Sequence, residues 1–307
     1  MMSFFSASAR RSLSLFCCLL FAGGMVSTPA MAAERLQVVA TFSILGDFTA
    51  VIGGEFIELH TLVGYDSDGH LYQPTPQDSR LLRHADLIVS NGLGFEGWME
   101  RLIRAAEYEG DVVVASHGIV PLFVDEEGER HADPHAWQDI GNARQYLSNI
   151  RQALQRLLPQ QSGYFAAREA HYLQALAALE QELIQKLGAL PPAARTVVTN
   201  HDAFGYFAQA YGVRFLSPVG LNTDSEASAR DVARLIRQIR DEGVRAVFIE
   251  NITDPRLLQR ITQESGAVIG GVLYSDALSQ ADGPAHTYLA MMRHNLHTLL
   301  AALAPDA

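Results

Sequence analysis

The sequence predicts an α/β protein of two lobes, each built on a four-stranded, mainly parallel sheet, bridged by one long rigid helix. Three observations predict it. Short β-rich runs alternate with amphipathic helical stretches early in the chain, the same alternation returns late, and a long strand-free stretch lies between. With 307 residues, 48% of them hydrophobic, the chain is long enough to bury the cores this requires.

Residues 1–32 read as a secretory signal peptide. Arg10 and Arg11 precede an apolar run from Leu13 to Val26, and Ala30-Met31-Ala32 supplies the small-x-small cleavage pattern. The run is too short to span a bilayer. Cleavage before Ala33 is expected, giving a periplasmic protein exported by the general or the twin-arginine route. Phe16 is a bulky neighbour for a lipid-modified Cys17 or Cys18, so no lipid anchor is expected. Both cysteines then leave with the peptide. A mature chain without thiols has no disulfide, no thiolate metal site and no cysteine nucleophile.

The N-terminal lobe, residues 33–160, is expected to hold strands at Leu36–Ala40, Ile57–Val63, Asp86–Ser90 and Val112–Ser116. Helices fit near Leu45–Ile52, Pro76–His84 and Gly97–Tyr108, and a further helix, Asn142–Leu158, stops at Pro159. The linking helix occupies 161–189. It carries Leu173, Leu176, Ala177, Leu183 and Leu187 on one face and ends before Pro191-Pro192. At 1.5 Å per residue it is roughly 39 Å long, a stiff strut that lets the lobes move little. The C-terminal lobe, 190–307, repeats the alternation. Its strands are Thr196–Thr199, Arg214–Leu216, Ala246–Glu250 and Ala267–Leu273; its helices lie near Ala203–Tyr211, Glu226–Glu242, Asp254–Glu264 and Ala285–Ala302.

Charge narrows the function. With 23 Lys+Arg against 34 Asp+Glu, a formal charge of -11 and a pI near 5.4, nucleic acid and anionic membranes are poor partners. Gly92-Leu93-Gly94-Phe95-Glu96-Gly97 matches G-x-G-x-x-G after a strand, but the next strand ends in Ser116-His117 where a dinucleotide site needs an acid. These glycines are expected to form a tight turn. The sequence holds neither a G-x-x-x-x-G-K-[ST] phosphate loop nor a G-x-S-x-G elbow.

Histidine is the informative residue among the 11 present. His70 follows the second strand, His135 lies past the fourth, and His201 and Asp276 directly follow two strands of the second lobe. Ligands of open α/β sheets bind beyond the carboxyl ends of strands. Three imidazoles and a carboxylate there suit a borderline divalent ion such as Zn²⁺, held in the cleft between lobes. His171, His294 and His297 are expected on solvated helix faces. Asp125-Glu126-Glu127 reads as a solvated charge run in a loop.

Asp68-Gly69-His70-Leu71-Tyr72-Gln73-Pro74-Thr75-Pro76 resembles the D-P-H-x-Y-x-P-T-P motif of cluster A-I metal solute-binding proteins, the zinc and manganese receptors of bacterial ABC importers. Asp133–Trp137 resembles their D-P-H-x-W motif, His201–Phe207 their third ligand segment and Tyr274–Ser279 their fourth. Gly69 stands where the family has proline, which implies a looser loop. The family's manganese receptors typically carry Glu at the third position, so His201 favours zinc. The short acidic stretch Phe123–Arg130 takes the place of the His-rich loop of many zinc receptors.

The resemblance implies a monomeric receptor that captures Zn²⁺ through His70, His135, His201 and Asp276 and delivers it to an inner-membrane ABC permease. Mn²⁺ is the alternative cargo. Four protein ligands leave no open position for an activated water, so capture is expected and not catalysis. Asp133, Asp202 and Glu250 are candidate acceptors for the second imidazole nitrogens. A secreted zinc hydrolase, with Glu250 as its general base, is the competing reading from another class. A metal-independent adhesin is a further one.

Overall fold

The computed structural model describes residues 35–304 apart from 127 and 225. The signal peptide, its cysteines and its cleavage site lie outside the described residues.

The first sheet is made of β1 (Leu36–Phe42), β2 (Ile57–Val63), β3 (Leu87–Ser90) and β4 (Asp111–Val114), in the order β2-β1-β3-β4 and parallel throughout. The inner strand β3, Leu-Ile-Val-Ser, is buried along its length, as a strand covered on both faces must be. Its crossovers are α1 (Ser43–Gly53), α2 (Pro76–Arg83) and α3 (Met99–Ala106). Local chemistry fixes where α2 starts. Thr75 accepts from Asp78 N while Asp78 Oδ2 accepts from Thr75 N at 2.6 Å, a reciprocal cap, and Pro76 opens the first turn.

The second sheet repeats this topology. Strands β7 (Thr196–Val198), β8 (Arg214–Leu216), β9 (Ala246–Glu250) and β10 (Val268–Leu273) lie in the order β10-β9-β7-β8, again parallel. In both sheets the first strand stands between the second and the third, so the order turns back beside it, which is where such sheets bind ligands. The intervening helices are α6 (Gly205–Tyr211), α7 (Ala229–Glu242) and α8 (Arg256–Ser265), and α9 (Tyr288–Leu303) closes the fold.

Between the sheets run α4 (Ile140–Leu157) and α5 (Ser162–Gly188). Phe165, Tyr172, Leu176, Leu179, Leu183 and Leu187 form the buried stripe of α5, whereas Ala177 faces solvent, one position away from the expected face. One continuous hydrophobic cluster runs from Val38 and Val89 in the first sheet through Leu176 and Leu183 to Phe248 and Leu296. A smaller cluster around Val198, Ile239 and Ile261 packs α7 and α8 on the far face of the second sheet.

One expectation changes. The acidic stretch after β4 is an antiparallel hairpin, β5 (Phe123–Glu126) and β6 (Glu129–Ala132), with Phe123 opposite Ala132. Glu126 is not simply solvated, because its Oε1 accepts from Leu221 N at 2.7 Å. The G-x-G-x-x-G segment is a turn, with positive φ at Gly92, Leu93 and Gly94. Its exposed amides are taken by the chain itself: Glu96 accepts from Asn91 N at 2.6 Å, Gly92 N at 3.1 Å and Thr41 Oγ1 at 2.6 Å. The turn's amides are therefore already occupied by a carboxylate of the same segment. Among the described residues, no helix is long and apolar enough to cross a membrane.

Candidate metal centre

His70 stands on the loop after β2. Asp68 Oδ1 accepts its N–H at 2.8 Å, and Trp98 Nε1 donates to the Gly69 carbonyl at 2.9 Å. A Cβ on Gly69 would lie 2.6 Å from the Phe95 ring, so glycine at the family's proline position lets the loop lie flat on a buried aromatic. The loop is pinned where the sequence suggested it was loose. The His70 ring meets Phe95 edge-on, with centroids 4.6 Å apart.

His135 follows β6 and heads a short 3-10 turn, Ala136–Gln138. Asp133 Oδ1 accepts the His135 N–H at 2.9 Å and lies 2.8 Å from Nδ1. That contact puts the proton on Nδ1 and leaves the Nε2 lone pair facing the cluster. His201 comes just beyond β7, beside the carboxyl end of β9, and that strand's last residue reaches it. Glu250 Oε1 accepts the His201 N–H at 2.8 Å, and Oε2 lies 2.7 Å from Nδ1 as an ion-pair contact, not an aligned hydrogen bond. Asp276 follows β10. The preceding carbonyl, Ser275 O, accepts from Trp137 Nε1 at 2.9 Å and Gln138 Nε2 at 2.7 Å. These two donors tie the Asp276 loop to the His135 turn across the cleft.

The four side chains converge, with ligand atoms all within 4.8 Å of one another. His70 Nε2 is 3.3 Å from His135 Nε2 and 3.4 Å from Asp276 Oδ2. His201 Nε2 is 3.2 Å from the same oxygen, and His135 Nε2 is 3.6 Å from Asp276 Oδ1. A tetrahedron with bonds of about 2.0–2.1 Å has edges of about 3.3–3.4 Å. Four of the separations, 3.2–3.6 Å, lie near such edges, with the contacts to Asp276 divided between its two oxygens. His135, His201 and Asp276 are buried, and Phe42, Phe95 and Trp137 form an aromatic floor below His70 and His135.

The carboxylates make the cluster a place that favours positive charge, whether a proton or a cation. Burial alone would lower the His135 pKa, but Asp276 and Asp133 outweigh it and push the imidazole up to about 9. Burial likewise opposes charge on His201, and Glu250 and Asp276 lift it well above the ordinary range. Burial would raise Asp276; His135 and His201 instead hold it well below the usual carboxylate range. His201 Nε2 and both Asp276 oxygens are buried without an aligned hydrogen-bond partner among the described residues. Such atoms are costly to bury unless a cation takes their lone pairs.

Two of the three proposed second-nitrogen acceptors, Asp133 and Glu250, stand on imidazoles. Asp202 does not. Its N–H donates to Gly220 O at 3.1 Å, and its carboxyl lines a separate acidic cleft with Glu126, Glu129 and Asp224. Both Glu250 oxygens face His201, Oε1 on its N–H and Oε2 beside Nδ1, on the side of the ring away from Asp276. Sequence reasoning passed over Trp137, Gln138 and Trp98. The tryptophan in D-P-H-x-W was the available signal for the first; the other two had none.

A family model described as ZnuA, zinc-uptake complex component A, periplasmic, matches residues 38–302. The chain belongs to this family. Its relatives include the manganese ABC transporter substrate-binding lipoprotein PsaA of Streptococcus pneumoniae, 31% identical over 303 residues, covering 95% of this chain and 97% of that one. The iron-binding protein YfeA of Yersinia pestis is 32% identical over 298 residues, covering 94% and 95%. Among solved structures, the periplasmic zinc-binding protein TroA from Treponema pallidum superposes with a TM-score of 0.84 at 34% identity, covering 88% of this chain and all of that one. Membership makes this chain a substrate-binding receptor of metal ABC transporters. The expectation that no lipid anchor is present is not borne out, since the family includes members named lipoproteins.

Proposed function

We propose that this receptor captures Zn²⁺ through His70, His135, His201 and Asp276 and hands it to an ABC permease. The convergence of the four donors, with separations of 3.2–3.6 Å near the edge length of a zinc tetrahedron, carries the reading. Three imidazoles against one carboxylate support it further, because Mn²⁺ prefers more oxygen donors and lies at the weak end of the divalent series. We read 33–160 and 190–307 as the two lobes around the linking helix of a periplasmic monomer, its mature N-terminus being either Ala33 or a lipid-modified Cys17 or Cys18. Intact mass of the secreted protein distinguishes cleavage before Ala33 from lipidation at Cys17 or Cys18.

One observation favours manganese as a second reading. Both Asp276 oxygens face the histidines, Oδ1 toward His135 and Oδ2 toward His70 and His201. A carboxylate binding through both would give five-coordination. Because zinc outcompetes manganese at nearly any nitrogen-rich site, affinity alone does not name the cargo. The test is elemental analysis by native mass spectrometry on protein taken from its own cell envelope without added metal. Zinc at one equivalent supports the proposal, and manganese at one equivalent rejects it in favour of the second reading.

A further inference from the structure

We infer that Asp68 and Glu126 form a latch that closes the N-terminal half over the metal site and sets the rate of metal release. This rests on the reading of His70 and His201 as ligands of the cargo.

The segment just after β8, residues 217–223, runs beside His201. Gly220 O accepts from Asp202 N at 3.1 Å, which binds the segment to the residue next to that histidine. Two carboxylates from the other half of the chain hold its opposite side. Asp68 Oδ2 accepts from Thr223 Oγ1 at 2.6 Å, across 155 residues. Glu126, on β5, accepts from Leu221 N at 2.7 Å, across 95 residues.

Asp68 is bifunctional. Its Oδ1 accepts the His70 N–H while its Oδ2 holds Thr223, so one carboxylate joins the backbone of one proposed ligand to the segment bonded to the neighbour of another. Moving the N-terminal half as a body away from His201 requires breaking both grips or dragging the segment along. Gly220 is shaped for the second grip, since a Cβ there would collide with Glu126 Oε1. Neither grip touches the metal-facing atoms. The grips act on closed-state lifetime, and the ligand atoms act on intrinsic affinity.

The experiment compares wild type with Thr223→Val, Thr223→Ser and Gly220→Ala. Zinc-loaded protein is mixed with excess chelator in a stopped-flow instrument, and zinc association and the melting temperature of metal-free protein are measured in parallel. A hydrogen bond to a charged acceptor is worth enough that losing it speeds release about tenfold. Thr223→Val and Gly220→Ala should each release zinc about tenfold faster. Association rate and metal-free melting temperature should stay as in wild type, and Thr223→Ser should restore slow release. Wild-type release rates in both Thr223→Val and Gly220→Ala would overturn the latch, as would failure of Thr223→Ser to rescue. If wild type itself takes up no zinc, the reading of the metal site fails instead, and titration of wild type shows that first.

Discussion

At the residue scale, the site is a set of lone pairs whose directions are fixed from behind. Asp133 holds His135 by its N–H and its Nδ1, and Glu250 holds His201 in the same two places. Removing such a carboxylate typically costs ten- to a hundredfold in metal affinity. Glu250→Gln is therefore expected to weaken zinc by about that factor in a chelator-competition titration while leaving one site per chain; unchanged affinity would contradict the role given to Glu250. Asp276→Ala removes the only anion of the cluster and should weaken zinc more than a hundredfold, on the same outer-ligand scale taken as a floor. His297→Ala, on an exposed position of α9, should change nothing. The four converging residues were legible because each stands in a motif just past a strand. Their distances were not, since residues so far apart in sequence meet only after both sheets have formed.

At the level of elements, helix and strand identities follow from periodicity and caps, and the departures have local causes. The β5–β6 hairpin was missed because its sequence, with charges on both faces, lacks the alternation that marks a half-buried strand. The expected α5 stripe holds at Leu173, Leu176, Leu183 and Leu187, and only Ala177, apolar enough to suggest either face, stands outside it. Burial settles it: Leu183→Ala should cost about 2–5 kcal/mol in chemical denaturation, whereas Ala177→Ser should cost under about 0.5. Equal costs would contradict the observed packing. Asp47 links three helices, accepting on Oδ2 from Tyr288 N at the start of α9 at 2.9 Å and from Tyr172 Oη on α5 at 3.4 Å. Burial pushes its carboxyl up to about 6 despite those donors. A raised folded-state pKa means the folded chain keeps a proton that the unfolded chain releases between about pH 4 and pH 6. Stability is lost as pH rises through that window. Asp47→Asn should therefore raise the melting temperature of metal-free protein at pH 7.5 and give little gain at pH 4. An equal gain at both would show that Asp47 ionisation is not the cause.

Across the whole molecule, the two sheets share one topology, and a continuous apolar cluster joins them through α5. That leaves the cleft mouth, with its polar grips, as the place where opening costs least. A cation bound from both sides should stabilise the closed fold by RT ln(1 + [L]/Kd), about 4 kcal/mol at a thousandfold excess over Kd. Zinc should raise the melting temperature by several degrees and a chelator should reverse it; an unmoved transition would mean that zinc does not join the halves. The central claim is both a place and an identity, so diffraction tests it most directly. Anomalous difference maps are collected just above and just below the zinc absorption edge, from crystals of protein purified without added metal. The account predicts one peak that vanishes below the edge, about 2.0–2.1 Å from the Nε2 atoms of His70, His135 and His201 and from an oxygen of Asp276. A peak unchanged across the edge, or a zinc peak away from these four residues, would contradict it.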